Sequence, residues 1–139
     1  MLVVGVGSLL RTDDAVGRLV ADRLEAMELA GVEVASVHQL TPELAPSFGE
    51  RDLVVIVDAA VDVEEVTVSA IEIDGSGALM THHLGPAGLL SFAAKLGWQP
   101  VRAVAVRIPA PDLGVGTEVS APGEAFALQA LDEVLALVR

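Results

Sequence analysis

A chain of 139 residues that is 53% hydrophobic falls within the size of one domain, here 1–139, and can bury its own core. Its 20 Asp and Glu against 8 Lys and Arg give a net charge of −12, which would repel the phosphates of a nucleic acid and suits a neutral or basic partner surface. The absence of cysteine excludes disulfides, thiolate metal sites and a cysteine nucleophile, so any metal must take oxygen and nitrogen ligands.

Apolar runs are short and none approaches the ~20 residues that span a bilayer, so no membrane partner is expected. The N-terminus carries neither the basic region nor the cleavage site of a signal peptide, and a cytoplasmic protein is the expectation.

The first predicted strand, Leu2 to Gly5, runs through Gly5 and Gly7, which are expected to let the backbone turn tightly. Asp13 and Asp14 follow at a helix start. Val16, Leu19, Val20, Leu24 and Met27 recur at helical spacing and predict a helix from Asp14 to Ala30, stopped near Gly31. In the plainer reading one of the two acids caps this helix. A single cap position does not account for both, and together they lie at the carboxyl end of a strand, where open parallel sheets bind ligands.

A second strand is predicted at Val32 to Val37, and Thr41 and Pro42 open a short helix as N-cap and first helical residue. The third strand, Leu53 to Ala60, is apolar until Asp58, which ends the run either as a turn cap or as a second acid pointing into the same crevice. About five residues around Asp62 separate it from the fourth strand, Val66 to Ile73. That is too few for a crossover, so these two should be antiparallel if they pair. Asp74 to Gly77, DGSG, reads as a turn.

His82 and His83 stand just before a helix predicted from Pro86 to Leu96 and closed by Gly97. Adjacent histidines project differently, so one can enter the crevice while the other is solvated or packed. A fifth strand follows at Val101 to Ile108. The Gly- and Pro-rich loop from Pro109 to Pro122 is long enough to suggest a functional or mobile segment. The last helix, Gly123 to Val138, places Phe126, Ala127, Ala130, Leu131, Val134 and Leu135 on one face.

Alternating strands and helices predict an α/β domain of three layers around a mostly parallel sheet. Two carboxylates and an imidazole on one rim suit a borderline divalent ion such as nickel or zinc, with positions left open for water or a partner's ligand. The chain holds no HExxH and no GxSxG, and Leu10 occupies the place of the third glycine of a dinucleotide fingerprint.

Four segments in order, GVGSLLRTDDAVG, VVIVDAA around Asp58, THHLGP around His82 and GTEVSAP before the last helix, resemble those of the hydrogenase maturation proteases. These endopeptidases remove a C-terminal tail from the large subunit of nickel-iron hydrogenases and are grouped with the aspartic-type endopeptidases. The resemblance spans nearly the whole length and implies an α/β/α sandwich with a five-stranded mixed sheet.

It further implies that Asp14, Asp58 and His82 bind nickel, which zinc or cadmium could replace. His82 rather than His83 matches the family's ligand position, two residues before Leu84. The nickel would be carried by the substrate, a large-subunit precursor, so that a loaded precursor is cut and an empty one is not. The segment His38 to Ala45, HQLTPELA, looks like the branch serving bidirectional, NAD-linked hydrogenases. Ser8 replaces an Asn common in the family, Ala15 a Gly, and His38 and Gln39 a glycine pair. The last change bears on partner specificity rather than on the reaction. With no nucleophile motif, a metal-sensing chaperone that binds the precursor uncut is the alternative. A domain using Gly5 and Gly7 for phosphate is a third reading, opposed by the acids beside the turn.

Overall fold

The computed structural model describes residues 1–7, 12–73, 85–111 and 119–139. Five strands form one sheet: β1 (Leu2–Val6), β2 (Glu33–Val37), β3 (Leu53–Ala60), β4 (Thr67–Ala70) and β5 (Arg102–Pro109), in the spatial order β2-β1-β3-β5-β4. The central strands are continuous apolar runs because both faces of the sheet are covered. One face packs against α1 (Val16–Ala26) and α3 (Ala121–Val138), around Val3, Val55, Val57, Val104 and Val106. The other packs against α2 (Pro86–Lys95) and a 3₁₀ segment (Pro42–Phe48), around Leu2, Val4, Val54, Ile56 and Phe48. This is the three-layer α/β/α sandwich with a five-stranded mixed sheet. Among the described residues no helix is long and apolar enough to cross a membrane.

All pairings are parallel except that of β4 with β5. The short connection after β3 does not make a hairpin. It carries β4 past the position of β5 to the sheet edge, where β4 is antiparallel to its one neighbour. β4 is also shorter than the apolar run suggests, although one more bond in the same register follows it, from the N–H of Ile71 to the carbonyl of Ala103.

The helix expected from Asp14 begins instead with a 3₁₀ turn over Thr12–Ala15 and becomes α-helical at Val16. It ends at Ala26, well before Gly31. Glu28 takes a positive φ of 49° there, and Leu29 and Val32 fold back onto the core. The segment opened by Thr41 and Pro42 is a 3₁₀ helix with Pro46 inside it. Proline at that position removes a backbone donor and opposes an α-helix. α2 matches its expected span to within a residue, with Gly97 at φ +91° just past its end. α3 begins at Ala121, with Ser120 as N-cap.

Candidate active site at the switch point of the sheet

From β1 the chain crosses to β2 on one side, then returns to β3 on the other, so the strand order reverses between β1 and β3. A crevice opens at the carboxyl ends of the two strands flanking such a reversal. Asp14 lies on the turn after β1 and Asp58 near the end of β3, one on each side of it. Both are half-buried.

The turn that carries Asp13 and Asp14 is pressed against the strand end. A Cβ on Gly7 would lie 2.0 Å from the carbonyl oxygen of Asp14, so only glycine admits this approach. Gly5 serves packing rather than turning. It lies inside β1, where a side chain would meet the carbonyl oxygen of Gly17 at 2.4 Å. Gly17 in turn seats α1 on the seam of β1 and β3, where its Cβ would stand 2.4 Å from the Val6 oxygen and 2.5 Å from the Val57 oxygen.

Burial pushes the Asp58 carboxyl up from 3.8 to about 6; a hydrogen bond from the Ala59 backbone opposes this, the Asp14 charge adds to it, and Arg107 opposes it. Asp14 and Asp58 are thus electrostatically coupled across the crevice, and the ionised pair favours a cation. Arg107 is the register partner of Asp58 on β5 and donates to the Asp62 carboxylate at 2.5 Å. That bond holds Asp62 below the usual carboxylate range. Asp58 and Arg107 also line a cleft of about 380 Å³ whose floor includes Ile56 and Ala105 and whose far wall is Pro86 and Ala87 at the start of α2.

Asp13 is fully buried and turns away from the crevice. The plainer expectation that one of the two acids is the N-cap of this helix is corrected: α1 takes Ala15 as its N-cap, with no side-chain cap bond. Asp13 instead accepts the backbone N–H of Ser120 at 2.7 Å and its hydroxyl at 2.6 Å. The Ser120 hydroxyl accepts the N–H of Gly123 at 3.1 Å, so Asp13 braces the start of α3.

His82 and His83 lie outside the described residues, as do Ser8, the expected turn Asp74 to Gly77 and positions 112–118 of the long loop. Among the described residues no three His, Asp or Glu side chains gather as a metal site. Asp14 and Asp58 are two of the three expected ligands. The segment carrying the third joins Ile73 to Gly85, and the residues just outside both of its ends, Ile71, Glu72 and Pro86, line the same cleft as Asp58. Arg107 and Ser120 are the site's unanticipated participants. Arg107 had a visible signal, a charge within the alternating apolar run of β5. Ser120 had the Ser-x-x-Gly-Glu pattern of a helix start.

No family model matches the chain. In sequence it is similar to the hydrogenase 2 maturation protease of Escherichia coli, 30% identical over 148 residues that cover 100% of this chain and 90% of that protein. In structure it resembles the hydrogenase maturating endopeptidase HybD from E. coli, with a TM-score of 0.82 and 28% identity over 99% of this chain and 91% of that one. A hydrogenase 2 maturation peptidase from a Thaumarchaeota archaeon gives 0.73 and 27%, covering 99% and 96%. The maturation protease HybD from Thermococcus kodakarensis, at 23% identity, shares the fold with a TM-score of 0.72. With that fold, that sequence similarity over the full length and an acidic crevice at the sheet's switch point, the chain belongs to the hydrogenase maturation proteases, endopeptidases and thus hydrolases.

Proposed function

We propose that the protein removes the C-terminal tail of a nickel-iron hydrogenase large-subunit precursor in the cytoplasm, after nickel insertion, by recognising the nickel that the precursor carries. The observation that carries this reading is the coupled pair Asp14 and Asp58, two half-buried acids at the carboxyl ends of β1 and β3, with Asp58 raised to about 6 by burial and by the Asp14 charge. A half-buried pair of this kind is costly when both groups ionise, and a divalent cation brought by a substrate relieves the cost. Asp14, Asp58 and His82 are the proposed ligands, and zinc or cadmium would serve as substitutes in binding experiments.

Docking of the ion would fix the precursor tail beside the rim, which converts hydrolysis of one peptide bond into a positioned attack by water. The cleft beside Asp58 gives the tail a place to lie, walled by β4 and the start of α2. The proton released by the attacking water has carboxylate acceptors within the site. This role accords with the grouping of these proteases as aspartic-type enzymes.

Incubation with nickel-loaded precursor should shorten it by the mass of its tail, while nickel-free precursor stays intact. Asp14→Ala, Asp58→Ala and His82→Ala should each abolish the mass change. Normal processing by these variants would overturn the ligand assignment. An unchanged precursor mass together with a stable complex would replace the protease reading by that of an assembly chaperone.

A further inference from the structure

On the face of the sheet that carries α2, the strand register sets side chains in rows across β3, β5 and β4. One row begins with Val54 and Ala103, buried with Leu89 and Leu90 of α2, and Ile71 packs against the same core. The next row is Ile56, Ala105 and Ser69, and the row beyond it is Asp58, Arg107 and Thr67. α2 starts at Pro86, so the middle row forms the floor of the cleft of about 380 Å³ that Asp58 and Arg107 also line. Past Ile56 that floor is made of small side chains. β5 turns Val104, Val106 and Ile108 to the core on the α3 side but only Ala103 and Ala105 to this side. Alanine is a poor strand residue where a branched side chain could pack, so Ala105 leaves a recess one row from Asp58.

We infer that this recess is a specificity subsite, in which Ala105 and Ser69 admit one apolar side chain of the precursor tail, within two residues of the cut bond, and so decide which tails are cut. The inference rests on the reading of Asp58 as a ligand for the ion that the precursor carries. Asp58 belongs to the recess as well as to that site, which makes the two one continuous surface. Two residues along a strand span about 7 Å, close to the spacing of alternate side chains in an extended peptide. A tail held at Asp58 therefore brings a side chain over Ala105. Ile56, Ile71, Pro86 and Ala87 give that side chain apolar walls. Of the charged groups beside it, Arg107 is committed to Asp62 and Glu72 is exposed, so a charged tail residue would lose water here without gaining a partner.

The test uses the full-length protein and nickel-loaded precursor, with cutting followed by mass and binding by calorimetry. The apolar residues of the tail within two positions of the cut are changed to Ala one at a time. One of these shaved precursors should lose about tenfold or more in kcat/KM with the parent protein, as an apolar pocket does when its ligand loses methylenes. Ala105→Leu fills the recess from its buried floor and Ser69→Leu from its exposed edge, and an unchanged urea midpoint checks that each folds. Each variant should cut the unaltered precursor about tenfold or more less well, mainly through KM, and should cut that shaved precursor better than the unaltered one, reversing the parent's preference. Indifference of the parent protein to every tail change, or a loss of equal size on all precursors in both variants, would overturn the subsite. Failure of the parent protein to cut any precursor, with the same reversal of preference in binding, would overturn the protease reading and leave the subsite standing.

Discussion

The carboxylate of Asp13, on the turn after β1, holds Ser120 through two bonds, Oδ1 to its backbone N–H at 2.7 Å and Oδ2 to its hydroxyl at 2.6 Å. The two residues are 107 positions apart, and the contact ties the turn that carries Asp14 to the start of α3. Of the adjacent acids, one therefore fixes the backbone, and the other lies near enough to Asp58 for its charge to raise that carboxyl. The arrangement is reinforced farther along the same helices, where Arg23 of α1 pairs with Glu124 of α3.

Removing this brace should cost stability. Asp13→Ala leaves the part-buried Ser120 N–H without its acceptor and should lower the unfolding free energy by about 1–3 kcal/mol, read by urea denaturation. Asp13→Asn keeps one acceptor oxygen and should cost less. Ser120→Ala should cost about 1 kcal/mol as a lost cap. In the Asp13→Ala, Ser120→Ala cycle the two losses should fall short of additivity, and full additivity would mean that the contact contributes nothing.

The placement of two acids at the ends of β1 and β3 was readable from local sequence, and the contacts that hold them there were not. Asp58 announces itself by ending the apolar run of β3, and Asp14 by following a strand and preceding a helical pattern. Asp13 could not be separated from Asp14 by that logic, because its partner Ser120 enters from the far end of the chain. The antiparallel strand was foreseen from the short connection after β3, but not its neighbour, since strand pairing is decided by which edge remains open once β5 is laid beside β3. The early end of α1 has a similar origin. Apolar periodicity continues through Leu29, yet Leu29 and Val32 reach the core only by leaving the helix.

The seat of α1 gives a prediction about geometry rather than chemistry. Gly17→Ala would force a Cβ against two backbone oxygens, those of Val6 and Val57, neither of which can swing aside. Overpacking of this kind costs about 1–3 kcal/mol and lifts the start of α1, moving Asp14, three residues upstream. Stability should fall by that amount and precursor processing by about tenfold or more, because small displacements of positioning groups cost rate steeply. An intact processing rate in a destabilised Gly17→Ala variant would show that α1 placement does not set Asp14.

Asp58 should leave a mark on the pH dependence of stability. Its carboxyl titrates near 6 in the folded protein against 3.8 as its ordinary value. Between these values the folded chain holds a proton that the unfolded chain has lost, so stability contributed by this group falls as pH rises through that window. Asp58→Asn cannot ionise and should be more stable than the parent protein at pH 7, with the advantage gone near pH 4. Denaturation curves at the two pH values check it, and a parent protein equally stable relative to the variant at both would contradict the buried carboxylate. The proposed cation binding should run the other way, strengthening as pH rises through about 6, because the ligand must be ionised.

Arg107 and Asp62 should tune that titration in opposite directions. The guanidinium pulls the Asp58 carboxyl down, so Arg107→Met removes a favourable charge and should move the acid limb of metal binding to higher pH. Asp62, bonded to Arg107 at 2.5 Å, offsets part of that field. Asp62→Asn should therefore shift the limb to lower pH, and by less, since Asp62 and Arg107 are both exposed and water screens their charges. Cadmium binding measured by calorimetry between pH 5 and 8 follows the limb directly. Shifts of the same sign in both variants would mean that they act by disturbing the strand ends rather than through charge.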